Sequence, residues 1–114
     1  MDAMTTMNST LGTLVGSREG PSWLIRARGE FDLSTAPAIE DAFASVPASC
    51  DRIILDLSGV TFVDCSGLRA LETASAGCGR EVSVRAPSRP VRRLARLVGA
   101  NEAQWRPDQD AWSA

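Results

Sequence analysis

The sequence predicts an α/β fold: a mixed β-sheet of four to five strands with a hairpin at its edge, packed against three or four α-helices. Three observations carry this reading. Two strand-like runs joined by a four-residue turn open the chain. Beyond them, strand-like segments alternate with segments whose apolar residues recur every three to four positions. One of the strand-like runs, Ile53-Ile54-Leu55-Asp56-Leu57, is almost wholly apolar, as befits a strand covered on both faces.

The elements follow in order. Leu11 to Arg18 reads as the first strand. Glu19-Gly20-Pro21-Ser22 is turn chemistry, and Trp23 to Arg28 is the second strand, closed by Gly29. Ser34 or Thr35 caps the first helix and Pro37 sits in its first turn. Ala36, Ile39, Phe43 and Val46 form its apolar face, and Pro47 stops it. The central strand Ile53–Leu57 is followed by a turn at Ser58-Gly59-Val60-Thr61, after which Phe62-Val63 returns to the core. Asp64-Cys65-Ser66-Gly67 opens the second helix, with Leu68, Leu71, Ala74 and Cys78 as its stripe and Gly77 and Gly79 at its end. Glu81-Val82-Ser83-Val84-Arg85 alternates as a half-exposed strand. Ser88 caps the last helix. Val91, Leu94, Leu97 and Val98 face inward, Arg92, Arg93 and Arg96 face water, and Gly99 is the C′ residue. Trp105 and Trp112 are expected to pack the C-terminal segment onto the sheet. Right-handed crossovers place successive helices on one side unless the strand order reverses.

At 114 residues the chain is one domain, with residues 1–9 expected as a flexible tail and residues 10–114 as the folded unit. All 12 basic residues are arginine, and histidine, lysine and tyrosine are missing. This excludes Ser-His-Asp and Cys-His machinery, imidazole zinc sites, Walker A loops and Schiff bases. An enzyme would have to work with Asp, Glu, Ser, Cys and Arg, so no enzyme and no cofactor is expected. A net charge of -2 argues against direct nucleic-acid binding. No apolar run approaches the ~20 residues of a membrane helix, so no membrane insertion is expected. Cys50, Cys65 and Cys78 are odd in number and form no CxxC pair, which points to a reducing, cytoplasmic setting without metal cluster or disulfide framework.

Two stretches combine into something specific. Gly29-Glu30-Phe31-Asp32-Leu33-Ser34-Thr35-Ala36 is the first. Ile54-Leu55-Asp56-Leu57-Ser58-Gly59-Val60-Thr61-Phe62-Val63-Asp64-Cys65-Ser66-Gly67-Leu68 is the second. Together they resemble the STAS domain of bacterial anti-sigma factor antagonists, whose Gly-Glu-(apolar)-Asp element and Asp-Ser-Ser-Gly helix start they match. Pro87 to Leu94 resembles the family's entry to its last long helix. The likeness covers Leu11 to Trp105. It departs where Cys65 replaces a family serine and where Gly99-Ala100 replaces Gly-Leu.

The resemblance implies a STAS-like fold and a non-enzymatic, partner-switching role. Unphosphorylated, such a protein binds an anti-sigma factor that is a serine kinase and so frees a sigma factor. The kinase phosphorylates the serine before the glycine, here Ser66, and a phosphatase reverses this. Asp32, Asp56 and Asp64 match the family's acids near that site, and Cys65 and Gly67 flank the serine. Single STAS domains also serve as accessory subunits of lipid ABC transporters in membranes, which is the alternative. Each residue has a plainer reading beside this one. Ser66 can be an N-cap and Asp64 an acid stabilising a helix start. Asp32 and Asp56 can be turn or strand-end residues. Cys65 can be a small, partly buried residue with no histidine or lysine to activate it. Arg89, Arg92, Arg93 and Arg96 can be a solvated face or a surface for an acidic partner.

Overall fold

The computed structural model describes residues 5–8 and 11–99, together with the backbone of residues 106–107. A single sheet runs in strict sequence order. Its strands are β1 (Thr5–Asn8), β2 (Gly12–Glu19), β3 (Ser22–Phe31), β4 (Arg52–Val63), β5 (Glu81–Arg85) and the two-residue β6 (Arg106–Pro107). β1, β2 and β3 are antiparallel neighbours, whereas β3 to β6 are parallel. The expected mixed sheet with an edge hairpin is present. It is widened by β1 and β6, which the sequence pattern did not reveal.

Three helices fill the crossovers: α1 (Ala36–Ala44), α2 (Cys65–Gly77) and α3 (Arg89–Val98). Because the strand order never reverses, right-handed crossovers put all three on one face. One core cluster accordingly joins Ile39 and Phe43 of α1, Leu68 and Leu71 of α2 and Val91 of α3 to Ile25, Ile53, Leu55 and Val84 of the sheet. Among the described residues no helix is long and apolar enough to cross a membrane.

Several sequence expectations are corrected. Thr5–Asn8, read as part of a flexible tail, pair with Thr13–Gly16 as an edge strand. Their short, polar pattern hides the pairing because an edge strand needs little apolar area. The expected turn at Ser58–Thr61 is instead the second half of β4. Between Asp56 and Gly59, and again between Val60 and Phe62, β4 advances one residue more than β3. These bulges break the alternation, so Val60 and Val63 are buried while Phe62 is exposed instead of returning to the core.

β3 also continues past Gly29 to Phe31. Gly29 has φ +90°, and a Cβ there would lie 2.4 Å from the carbonyl oxygen of Leu11. The strand therefore crosses β2 closely without ending, and the Glu30 N–H donates to Leu11 O at 3.0 Å. Ser83 is buried, so β5 is covered on both faces. At the far end of α3, Leu97 and Val98 are exposed and not inward-facing. Gly99 ends this helix in the left-handed conformation, as expected. Trp23 is core, whereas Trp105 and Trp112 lie outside the described residues.

Candidate functional site

The site is built where β3 and β4 end side by side. Their parallel register runs to the Phe31–Val63 pair, so the two following helix starts emerge together. The Asp64 N–H donates to Phe31 O at 3.2 Å, which fixes the first residue of the α2 turn against the end of β3. Asp64 is extended, with φ -108° and ψ -177°, and is the N-cap of α2. Its Oδ1 accepts the Gly67 N–H at 2.8 Å, satisfying one of the orphan donors of the first turn.

Gly67 cannot be replaced cheaply. A Cβ there would lie 2.2 Å from Phe31 O, 2.5 Å from Phe31 C and 3.0 Å from Asp32 N. The backbone of α2 thus rests directly on the Phe31-Asp32 peptide. This contact brings Asp32 beside the start of α2.

Between the cap and the glycine stand Cys65 and Ser66, both exposed. The capping role belongs to Asp64, so Ser66 is not the N-cap. Among the described residues no side-chain hydrogen bond engages Ser66 Oγ. Cys65 is exposed, not partly buried, because the first turn projects it away from the sheet.

Asp32 heads a second helix start. It caps the single 3-10 turn Leu33–Thr35 that leads into α1. Its Oδ1 accepts the Ser34 N–H at 2.9 Å and the Ser34 hydroxyl at 2.6 Å. In return the Asp32 N–H donates to Thr35 Oγ1 at 3.1 Å. Thr35 stands at the N-cap position of α1, one of the two residues expected there, but makes no side-chain cap bond to that helix; with Ser34 it partners the Asp32 cap. The Ser34 hydroxyl, against the opposing effect of desolvation, holds the Asp32 carboxyl below its ordinary value, helped by the Ser34 N–H and by Thr35.

Asp56 is not part of this cluster. It lies seven residues before Val63 on β4, about 20 Å away at strand rise. Its Oδ1 accepts the Ser58 N–H at 2.9 Å, an Asx turn that shapes the first bulge. Its register neighbours are Arg26 and Arg85, on the face without helices. Asp32, Asp64, Cys65, Ser66 and Gly67 thus stand together where β3 and β4 end, and Asp56 stands apart from them.

What sequence reasoning missed is apolar. Leu33 is 72% exposed and Phe62 47% exposed, flanking the two helix starts. Apolar residues inside strand-like runs read as core by default, and only the bulges turn Phe62 outward. Among the described residues no group of His, Cys, Asp and Glu side chains could hold a metal ion.

A family model described as "Mlab, STAS domain" matches residues 17–105. The chain belongs to this STAS domain family. Its fold is similar to a crystal structure of an anti-sigma factor antagonist from Mycobacterium paratuberculosis. That match has 28% identity and a TM-score of 0.66, covering 86% of this chain and 87% of the other. A crystal structure of a protein named Mglu matches with 25% identity and a TM-score of 0.57, over 65% of this chain but only 19% of that one. The fold is also shared with an antisigma-factor antagonist STAS domain from Rhodobacter sphaeroides, at 22% identity and a TM-score of 0.50, over 66% of this chain and 86% of that one. No curated protein matches the chain significantly. In this STAS domain Asp64–Gly67 form the start of α2.

Proposed function

We propose that this STAS domain is an anti-sigma factor antagonist whose binding is switched by phosphorylation of Ser66. Unphosphorylated, it binds an anti-sigma factor that is a serine kinase, and a sigma factor is released. One observation carries the reading: Ser66 Oγ is exposed and uncommitted in the first turn of a helix that Asp64 already caps. A capping serine would have its hydroxyl occupied; this one is available to a kinase.

The chemistry needs little from this chain. Ser66 Oγ attacks the γ-phosphorus of ATP held by the kinase. The Oγ–P bond forms, the bond to the β-phosphate oxygen breaks, ADP leaves, and the hydroxyl proton passes to a base of the kinase. The N-terminal N–H groups and dipole of α2 tolerate the phosphate within the domain. The phosphate adds roughly -1.5 to -2 charge next to the carboxylate of Asp64. A partner docked there must desolvate that charge or face like-charge repulsion, at a cost of several kcal/mol. Binding is thus lost without refolding, and a phosphatase restores it. The resemblance to the Mycobacterium paratuberculosis antagonist over 86% of the chain supports the same role.

The test is incubation with the cognate kinase and ATP, followed by mass spectrometry and a binding assay. Phosphate on Ser66, loss of binding with it, and persistent binding by Ser66→Ala are the expected results. Phosphate on another residue, or none, removes the assignment. Stable co-purification with a transporter ATPase, indifferent to Ser66→Ala, would favour the accessory-subunit reading instead.

A further inference from the structure

α3 does not behave as an ordinary surface helix. Its ten residues include Arg89, Arg92, Arg93 and Arg96 and no acid. Arg89/Arg93 and Arg92/Arg96 stand four apart, where like charges destabilise a helix. All four are exposed, and among the described residues none of their guanidinium groups has a hydrogen-bonding or ion-pairing partner. Arg18, Arg52, Arg80 and Arg85 elsewhere in the chain are engaged by side chains or carbonyl groups.

Apolar side chains lie among these charges. Leu97 is 81% exposed and Val98 48% exposed, although their spacing marked them for the core. Together with Phe62, Pro90 and Leu94 of the same surface, Leu97 lines a groove of about 430 Å³ between α3 and the second half of β4, with Arg89 and Arg93 at its rim. Thr61 is the one neutral polar residue of the lining, which is otherwise apolar or cationic and so selects an occupant that is apolar on one side and acidic on the other.

We infer that this groove receives an acidic amphipathic helix of the protein partner, its apolar face on Phe62, Leu94 and Leu97 and its carboxylates on Arg89 and Arg93. This rests on the proposed anti-sigma reading for the partner's identity. Continuity favours a single partner, since Phe62 is four residues from Ser66, at most about 14 Å of extended chain. The sign of the switch also follows. A phosphate on Ser66 subtracts from the positive field that holds the acidic helix, most strongly at low salt.

The test uses a labelled peptide of roughly 16 residues, with Leu at i, i+4 positions on one face and Glu on the other, followed by fluorescence anisotropy at about 50 and 300 mM salt. The full chain is expected to bind this peptide and not its Lys-for-Glu counterpart. Arg89→Glu with Arg93→Glu should weaken binding roughly tenfold or more and flatten the salt dependence. Leu97→Ser should weaken it by a similar factor and keep the salt dependence. The substituted residues are exposed, so far-UV circular dichroism should stay native. No binding by the wild type, indifference to these variants, or preference for phosphatidylglycerol vesicles over the peptide would overturn the inference. The anti-sigma factor itself separates the two proposals. If its Kd responds to Ser66→Asp but not to the arginine variants, this inference fails and the proposed function stands. If the peptide binds as described and no anti-sigma factor does, the reverse holds.

Discussion

Two helix starts stand side by side in this STAS domain, and they use the same device to opposite ends. Asp32 and Asp64 are both extended N-cap residues at the ends of adjacent parallel strands. Asp32 draws in the hydroxyl groups around it, because Ser34 donates to its carboxylate and Thr35 accepts from its backbone N–H. Asp64 takes only the Gly67 N–H and leaves the hydroxyl of Ser66 unused. One start is closed upon itself and structural. The other leaves a hydroxyl free. The spacing is the same, two residues beyond the acid in each; the difference lies in the turn, a tight 3-10 turn that folds Ser34 back onto Asp32 and an α-turn that projects Ser66 outward.

The comparison can be broken at graded cost. Gly67→Ala should be the most damaging change, because its Cβ would meet the Phe31 carbonyl and separate the two starts. A loss of about 3 kcal/mol is expected in urea unfolding. Unchanged stability would mean that the contact can relax. Thr35→Val removes a buried acceptor and strands the Asp32 N–H, with an expected loss of about 1.5 kcal/mol by the same measurement. Asp64→Ala removes a cap of one bond and should cost about 1 kcal/mol. Ser66→Ala should change stability by less than about 0.5 kcal/mol, because no side-chain hydrogen bond is lost. A larger loss would show that the hydroxyl is structural after all.

The closed start should also respond to acid. The carboxyl of Asp32 lies below its ordinary value of 3.8 in the folded chain, chiefly through Ser34. Its contribution to stability is present above the unfolded value and disappears as pH falls through the folded one. Asp32→Asn should therefore flatten the acid limb of a stability–pH curve, and an unaltered limb would place the acid sensitivity elsewhere.

Much of this was legible in the residues. Ile53–Leu57 announced a central strand, and Val91 and Gly99 marked a side and an end of α3. The Asp64–Gly67 motif located the helix start. Other features were not legible. Thr5–Asn8 form a strand that carries no apolar alternation. Phe62, Leu97 and Val98 are apolar yet exposed, and local periodicity assigns such residues to a core. Asp56 looked like a companion of Asp64 because the motif places them close in sequence, but an extended strand carries them far apart.

The sequence by itself determined the kinds and order of the elements, since periodicity and capping are local properties that short segments express alone. It also excluded histidine and lysine chemistry and supplied a serine between an acid and a glycine. Only the tertiary structure decided which acids stand together and which apolar residues face outward. Those outcomes depend on two bulges in β4 and on the contact of Gly67 with the Phe31-Asp32 peptide. Both are long-range matters of register and close approach, and no window of neighbouring residues encodes them.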